Sequence, residues 1–441
     1  MQFVEQTKKV YDKLFWSWKP GSDKEAGDAI VKNILLHWFP NKISKGSLSW
    51  SYSMYLGTIS FVLFMILVLT GLILMFLYVP SVERAYASVK DIEFVVSFGW
   101  LLRSMHRISA HLMVAVVFLH MVRVFLTGAY KNGKTVGANR PVNWIIGIGL
   151  LLSTLLLSFT GYLLPWDQLA YWAITVGTNI ASSAPLVGEQ IRFFLLGGNT
   201  IDQNALIRFY VLHIFFLPLL VLLLFSWHMW RIRKDGGLAI VDHEMLNQKP
   251  EVVQPIKTKT YSLLGITNGT SVHVQTSMVN EEENTVPSIP NLTRRLWFVT
   301  LATFIVVLIL SFVFTAPLEE PANPSVTPNP AKAPWYFLWL QEIVTDTTIP
   351  LGAFTINGAF IGGILLPTIL IVLAVWWPYK DSSSINSVGV WFAPERKKQN
   401  YIFIGICLAI IILTIIGTYL RGPYWNFYWP WEQWPTMPVK Y

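Results

Sequence analysis

The sequence predicts an all-α polytopic membrane protein: a four-helix bundle plus three further transmembrane helices. Three observations predict it. Seven apolar stretches are long enough to cross a bilayer, the 441 residues are 53% hydrophobic and only 13% charged, and two of the stretches carry paired histidines. A bilayer core takes about 20 helical residues to cross, and a soluble domain would have about a quarter of its residues charged. The stretches fall near 55–80, 101–127, 142–164, 206–230, 296–316, 358–377 and 401–420.

Taken in order, residues 1–44 form a polar, Lys-rich segment without a signal-peptide core, so the first membrane helix is expected to stay with the chain. The first four stretches make one part, residues 45–234, and the last three another, residues 295–421. Between them residues 235–294 are polar and of mixed charge, as in an extramembrane linker on the cytoplasmic side. Pro165 to Asn204 is too polar to span and too apolar to float free, which suits short interfacial helices. The tail, residues 422–441, holds Trp425, Trp429, Trp431 and Trp434 among prolines, the composition of an aromatic belt at the opposite face.

A net charge of +8 would suit nucleic acid if the basic residues formed one patch. They follow the loops instead. With the N-terminus inside, the N-terminal segment and the 128–141, 231–295 and 378–400 connections carry 8, 3, 8 and 4 Lys/Arg residues, against six on the other side. The positive-inside rule therefore sets the orientation, and the basic excess points to membrane lipid rather than nucleic acid. The single cysteine, Cys407, excludes a disulfide framework, a Cys-rich zinc site and an all-cysteine iron–sulfur cluster within the chain. It reads as a small buried hydrophobe.

Histidines inside membrane helices are costly unless they face a partner. The second stretch carries His106, His111 and His120, the fourth His213 and His228. His106 and His120 are 14 residues apart, which returns them to nearly one face roughly 21 Å apart along the axis. His213 and His228 are 15 apart and again share a face. Two helices offering imidazoles at matched depths suit two stacked bis-histidine haems, with His106 and His213 on one iron and His120 and His228 on the other. A lone membrane histidine is more often a hydrogen-bonded core group, which does not account for four at matched spacing. His111 falls about 140° round from His106 and reads as structural.

Gly57 and Gly71 in the first stretch, and Gly147 and Gly161 in the third, are also 14 apart. A haem lying against a helix needs backbone without a Cβ at that point. Small-residue helix packing would explain glycines, but not the shared period. Arg103 and Arg107 bracket His106 and Arg123 follows His120; each suits a haem propionate or, equally, headgroup snorkelling.

The strings Arg103-Ser-Met-His106-Arg107, His120-Met-Val-Arg123, Gly161-Tyr-Leu-Leu-Pro165-Trp166-Asp167-Gln168 and Arg208-Phe-Tyr-Val-Leu-His213 resemble the cytochrome b family of respiratory cytochrome bc and photosynthetic cytochrome bf complexes. Residues 45–234 resemble the four-helix haem-binding part. Residues 290–421 resemble the three-helix part that the bf type carries as a separate subunit, and the His213–His228 spacing is of the bf type. The resemblance implies two non-covalent b-type haems and quinol oxidation near the outer haem, between residues 165–185 and the Trp335–Glu342 region. One electron is expected to pass to a Rieske iron–sulfur protein and a c-type cytochrome. The other is expected to cross through both haems to a quinone at the inner face. A homodimeric complex in a bacterial, energy-conserving cytoplasmic membrane is implied as well.

Two departures from the family stand out. Tyr55 occupies the position where the bf type tethers an extra c-type haem through cysteine, so no covalent haem is expected. The quinol-site tetrapeptide Pro-Glu-Trp-Tyr reads Ala333-Pro334-Trp335-Tyr336, without its glutamate. Another group is then expected to take the quinol proton, and Glu342, ahead of Asp167 and Asp346, is the candidate. Two other classes stay open: a di-haem membrane anchor of a dehydrogenase or hydrogenase, and a secondary transporter with intramembrane histidines. The anchor would not need the three-helix extension or the Pro165-Trp166 and Trp335-Tyr336 motifs, and a pigmented, redox-active preparation would dismiss the transporter.

Overall fold

The computed structural model describes residues 42–133, 138–240, 260–262, 265–267, 285–352 and 354–435. Nearly all of the 1–44 segment, most of the 235–294 linker and the end of the tail lie outside the described residues. The chain divides into two compact units, one of residues up to Met54 with Leu238–Arg294, the other of Tyr55–Gly237 with Arg295–Tyr441. In the smaller unit Lys42–Ser44 pairs antiparallel with Thr285–Pro287, Lys42 opposite Pro287. The Tyr52 hydroxyl donates to the Ala239 carbonyl.

The larger unit is helical, and among the described residues seven helices are long and apolar enough to cross a membrane. In chain order the helices are α1 (Leu56–Leu77), α2 (Ala85–Phe94), α3 (Gly99–Leu126), α4 (Arg140–Tyr162), α5 (Gln168–Ser182), α6 (Gly188–Leu196), α7 (Gln203–Lys234), α8 (Ser288–Val313), α9 (Trp335–Asp346), α10 (Gly358–Lys380) and α11 (Pro394–Leu420). The spans are α1, α3, α4, α7, α8, α10 and α11. Their outward positions are apolar, as with Phe76, Leu223, Phe312 and Val372. Such positions cost nothing in hydrocarbon, whereas backbone groups must be satisfied within each helix.

Helix α1 packs along α3, and α4 along α7. Val62, Leu63, Phe64, Ile66, Met113, Val221 and Val307 close the middle of the bundle. Phe61 of α1 stacks on Phe225 of α7 at 4.7 Å between ring centroids. The last three spans are bound to this bundle by polar contacts at both ends. At one end the Arg103 guanidinium donates to the carbonyls of Ala316 and Pro317, which follow α8, and pairs with Glu93 of α2 at 2.8 Å. At the other, the fully buried Arg396 donates to the Phe125 carbonyl at 2.7 Å and pairs with Asp381 at 3.3 Å.

Helix α7 contains a π turn at Leu212–Phe216, where the Leu217 N–H reaches back five residues to the Leu212 carbonyl. Pro218 lacks an N–H, so the regular bond to residue 214 cannot form there. A π turn accommodates one extra residue. It brings the 15-residue spacing of His213 and His228 into step with the 14-residue spacing on α3.

Candidate functional site

The ring centroids of His106 (α3) and His213 (α7) lie 6.2 Å apart, with planes at 71°. Those of His120 and His228 lie 6.5 Å apart at 77°. A metal–imidazole bond is roughly 2 Å long, so two imidazoles on one metal have centroids roughly 6 Å apart. Among the described residues no three His, Cys, Asp or Glu side chains gather as a metal cluster. Each pair would supply two imidazole nitrogens to one metal ion, the ligand set that a bis-histidine haem uses.

The hydrogen bonds of the first pair favour this use. Thr70 Oγ1 donates its proton to the Ile66 carbonyl at 2.7 Å and can only accept from His106 Nδ1 at 2.9 Å. His213 Nδ1 faces the Leu157 carbonyl at 3.1 Å and Thr160 Oγ1 at 3.2 Å. A carbonyl only accepts, so Nδ1 carries the proton in both rings and leaves the Nε2 lone pair for a metal. Among the described residues, His120 Nδ1 has no hydrogen-bond partner.

Each of the four glycines stands against one of the four histidines. A Cβ on Gly71 would lie 3.1 Å from His106 Cε1, one on Gly57 3.4 Å from His120 Cε1, and one on Gly147 3.7 Å from His228 Cε1. On Gly161 it would collide with His213. The missing Cβ admits the edge of the imidazole, so the glycines shape the ligand's seat rather than only the haem's.

A mainly apolar cavity of about 290 Å³ opens beside the His106–His213 pair. It is lined by Gly71 and Gly161 and continues past Arg107 and His111 to Pro165 and Tyr336. The residues present fit a haem at each pair. Arg103 and Arg107 line the cavity, although Arg103 is largely spent on Glu93 and the two carbonyls. Arg123 is buried one turn beyond His120.

The remaining sequence candidates separate. Trp335 and Tyr336 open α9 beside the cavity, and the Trp335 indole donates to His111 Nδ1 at 3.0 Å. Burial pushes the Tyr336 phenol up to about 12, against the opposing charge of Arg107 and a hydrogen bond with Ser158, so it stays a neutral O–H. Pro334 stands at the helix start, where a missing N–H costs nothing. Glu342, about two turns on, is 1% exposed and does not line the cavity. Arg421 binds it through Nη2 at 2.5 Å and Nε at 2.9 Å. Asp346 completes that cluster at 3.2 Å from Arg421. Asp167 caps α5 by accepting from Ala170 N at 2.9 Å and accepts from Glu319 N at 3.3 Å, tying the Pro165–Gln168 turn to the loop after α8. Thr70 and Thr160 escaped the sequence reading, although each directly precedes a glycine of the site and the repeated Thr-Gly pair was there to be seen.

Residues 41–236 match the family model described as Cytochrome b/b6/petB, and residues 321–429 that described as Cytochrome b(C-terminal)/b6/petD. The chain is 45% identical over 181 residues to cytochrome b6 of Porphyra purpurea, spanning 41% of this chain and 81% of that one. It is 40% identical to cytochrome b6 of Synechocystis sp. over 41% of this chain and 79% of that one, and 42% identical to that of Heliomicrobium gestii over 41% and 82%. A solved structure described as a hyperthermophilic respiratory Complex III superposes with a TM-score of 0.65 at 24% identity, covering 91% of each chain, and shares the fold.

Proposed function

Because the chain belongs to the cytochrome b family, as a b6-like part fused to a subunit-IV-like part, and is an electron-transfer subunit of a cytochrome bc/bf-like membrane complex, we propose that it serves a quinol:c-type cytochrome oxidoreductase. The observation that carries this reading is the double histidine pairing, with centroids at 6.2 and 6.5 Å and a glycine behind each ring. His106 and His213 would hold an outer b-type haem and His120 and His228 an inner one, both non-covalently. Bound there, the two haems supply one-electron carriers at two depths of the membrane.

The chain's own residues do the rest. Thr70, Thr160 and the Leu157 carbonyl orient the outer ligands. Arg107, with Arg103 beside it, and Arg123 near the inner pair supply positive charge for propionates. Tyr336 and Pro165 wall the cavity where a quinol would sit, and Trp335 braces His111 beside it. Quinol oxidation releases two electrons and two protons. One electron goes to a Rieske iron–sulfur protein and on to a c-type cytochrome, the other inward toward a quinone at the opposite face. The protons leave on the outer side, which contributes to the proton gradient. The complex is a homodimer embedded in lipid, with the N-terminus inside a bacterial energy-conserving membrane. Residues 45–234 act as the haem part and 295–421 as the quinol-site part. A di-haem anchor would leave α9 and its end of the cavity without a task.

The test is a redox-titrated optical spectrum of the purified complex with acidic-acetone extraction of haem from this chain. Two b-type components per chain, both extractable, are expected. A single component, or haem that stays with the chain on a denaturing gel, would sink the reading.

A further inference from the structure

His111 is the membrane histidine that the two pairs leave over. It lines the cavity that runs from the His106–His213 pair to α9. Its Nδ1 lies 3.0 Å from the Trp335 indole nitrogen, and its ring lies 5.8 Å from that of Tyr336. An indole N–H can only donate. His111 Nδ1 must therefore supply the lone pair, and in the neutral ring the proton sits on Nε2. This is the opposite tautomer to that of His106 and His213, whose Nδ1 atoms donate. A ring held this way is unsuited to bind iron through Nε2 and suited to present an N–H. Among the described residues Nε2 has no hydrogen-bond partner.

We propose that His111, fixed by Trp335, is the positioning residue that donates its Nε2–H to a ring oxygen of the quinone or quinol in this cavity. The proposal rests on the reading of the cavity as a quinol site. It follows from what the cavity offers. The residue before Trp335 is Pro334, whose side chain can neither donate nor accept. Glu342 is bound by Arg421 away from the cavity, and Asp167 caps α5. The other polar side chains of the cavity lining include Arg107 one turn back on α3, Ser158, and the phenols of Tyr162 and Tyr336. Among the described residues no carboxylate lines the space. A donor differs from a carboxylate in what it recognises: a carboxylate can hold only the O–H of the reduced form, whereas an N–H also holds the carbonyl oxygen of the oxidised form. The site would therefore bind both redox forms.

The experiment uses the intact complex with its haem spectrum as the fold control. Binding of an oxidised short-chain quinone analogue is measured by equilibrium dialysis, beside the KM and kcat for the reduced analogue. His111→Leu is expected to weaken quinone binding and raise KM by about tenfold, the scale of one lost hydrogen bond to a buried partner, with kcat changed much less. His111→Gln, which keeps an N–H at similar reach, is expected to restore most of the loss. Trp335→Phe frees the ring and is expected to weaken binding by about threefold. It carries the test if His111→Leu fails to assemble its haems. Binding within twofold of the parent in His111→Leu, or in Trp335→Phe where the former does not assemble, overturns the proposal. So does a loss that His111→Gln does not relieve, which would mark a packing role. A parent complex that neither binds the analogue nor is reduced by it would instead overturn the quinol-site reading itself.

Discussion

Gly71 and His106 face each other so closely that a Cβ on the glycine would lie 3.1 Å from the imidazole Cε1. The histidine cannot retreat, because Thr70 holds its Nδ1 at 2.9 Å and the ring must meet His213 across 6.2 Å. Overpacking of this kind costs about 1–3 kcal/mol. The four glycines should therefore grade by clearance. Gly161→Val and Gly71→Val are expected to lose the haem at the His106–His213 pair, Gly57→Val to lower occupancy at His120–His228, and Gly147→Ala to be tolerated at 3.7 Å. Haem content per chain measures this. Equal losses in all four would favour plain helix packing.

Ligand replacement separates the pairs. His106→Leu or His213→Leu should remove one b-type component from the spectrum, and His120→Leu or His228→Leu the other. His111→Leu should keep both, since its Nδ1 is committed to Trp335. Loss of a haem on replacing His111 with His106→Leu intact would show that the pairing is misassigned.

The threonines tune one pair alone. Thr70 accepts from His106, which would make the imidazole a stronger donor to a haem iron held there and favour its oxidised form. Thr70→Val should raise that haem's midpoint potential by up to about 60 mV, the one-electron equivalent of a tenfold change in equilibrium constant. The other haem's potential should not move. A redox titration that shifts both, or neither, would remove the threonine from this role.

Much of this was legible in the sequence because membrane helices confine side chains to a simple period. The seven spans follow from length and apolarity, although α7 runs from Gln203 to Lys234 instead of 206–230, α8 begins at Ser288 instead of 296 and α11 at Pro394 instead of 401. The histidine and glycine spacings survive because they repeat along single helices. The π turn before Pro218 was not foreseen, although it explains why 15 residues on α7 match 14 on α3. What the sequence hides is partnership across long separations. Trp335 finds His111 across 224 positions and Arg421 finds Glu342 across 79, and no local pattern announces either. That is why His111 looked structural and Glu342 looked available.

The connection between α10 and α11 gives a pH prediction. The Asp381 side chain is buried between Lys131 and Arg396. Burial alone would raise its pKa, but hydrogen bonds from Ser383 and Tyr130 and the charge of Lys131 outweigh it and hold the carboxyl well below the usual range. A depressed folded-state pKa contributes stability that is present above the unfolded value and is lost as pH falls through the folded one. Melting temperature in detergent should thus be steady from neutral pH down to about 5 and fall below about 4. Asp381→Asn should flatten that fall and cost about 3–5 kcal/mol at neutral pH, since two buried cations lose their counter-charge. An acid limb unchanged by the substitution would place the titrating group elsewhere.

Glu342 is the last case, and its surroundings argue for structure over proton transfer. Arg421 holds both of its oxygens, at 2.5 and 2.9 Å to Oε1 and 3.1 Å to Oε2, and donates as well to the Trp425 carbonyl at 3.1 Å. The pair pins α9 to the end of α11 and to the turn that follows. Asp346, half-exposed beside it, is raised by burial and by the Glu342 charge while Arg421 pulls it back. Glu342→Gln leaves Arg421 with only that weaker partner, and breaking a buried pair costs about 3–5 kcal/mol. The expected result is a lower melting temperature with an unchanged haem spectrum. Quinol oxidation per haem should stay within about twofold, with the same pH profile, because a group outside the cavity has no proton to take at that step. The double variant Glu342→Gln with Arg421→Gln should recover part of the stability, since it leaves no lone buried charge. A tenfold loss of rate with a displaced pH profile, at full haem content and parental stability, would instead make Glu342 the proton acceptor.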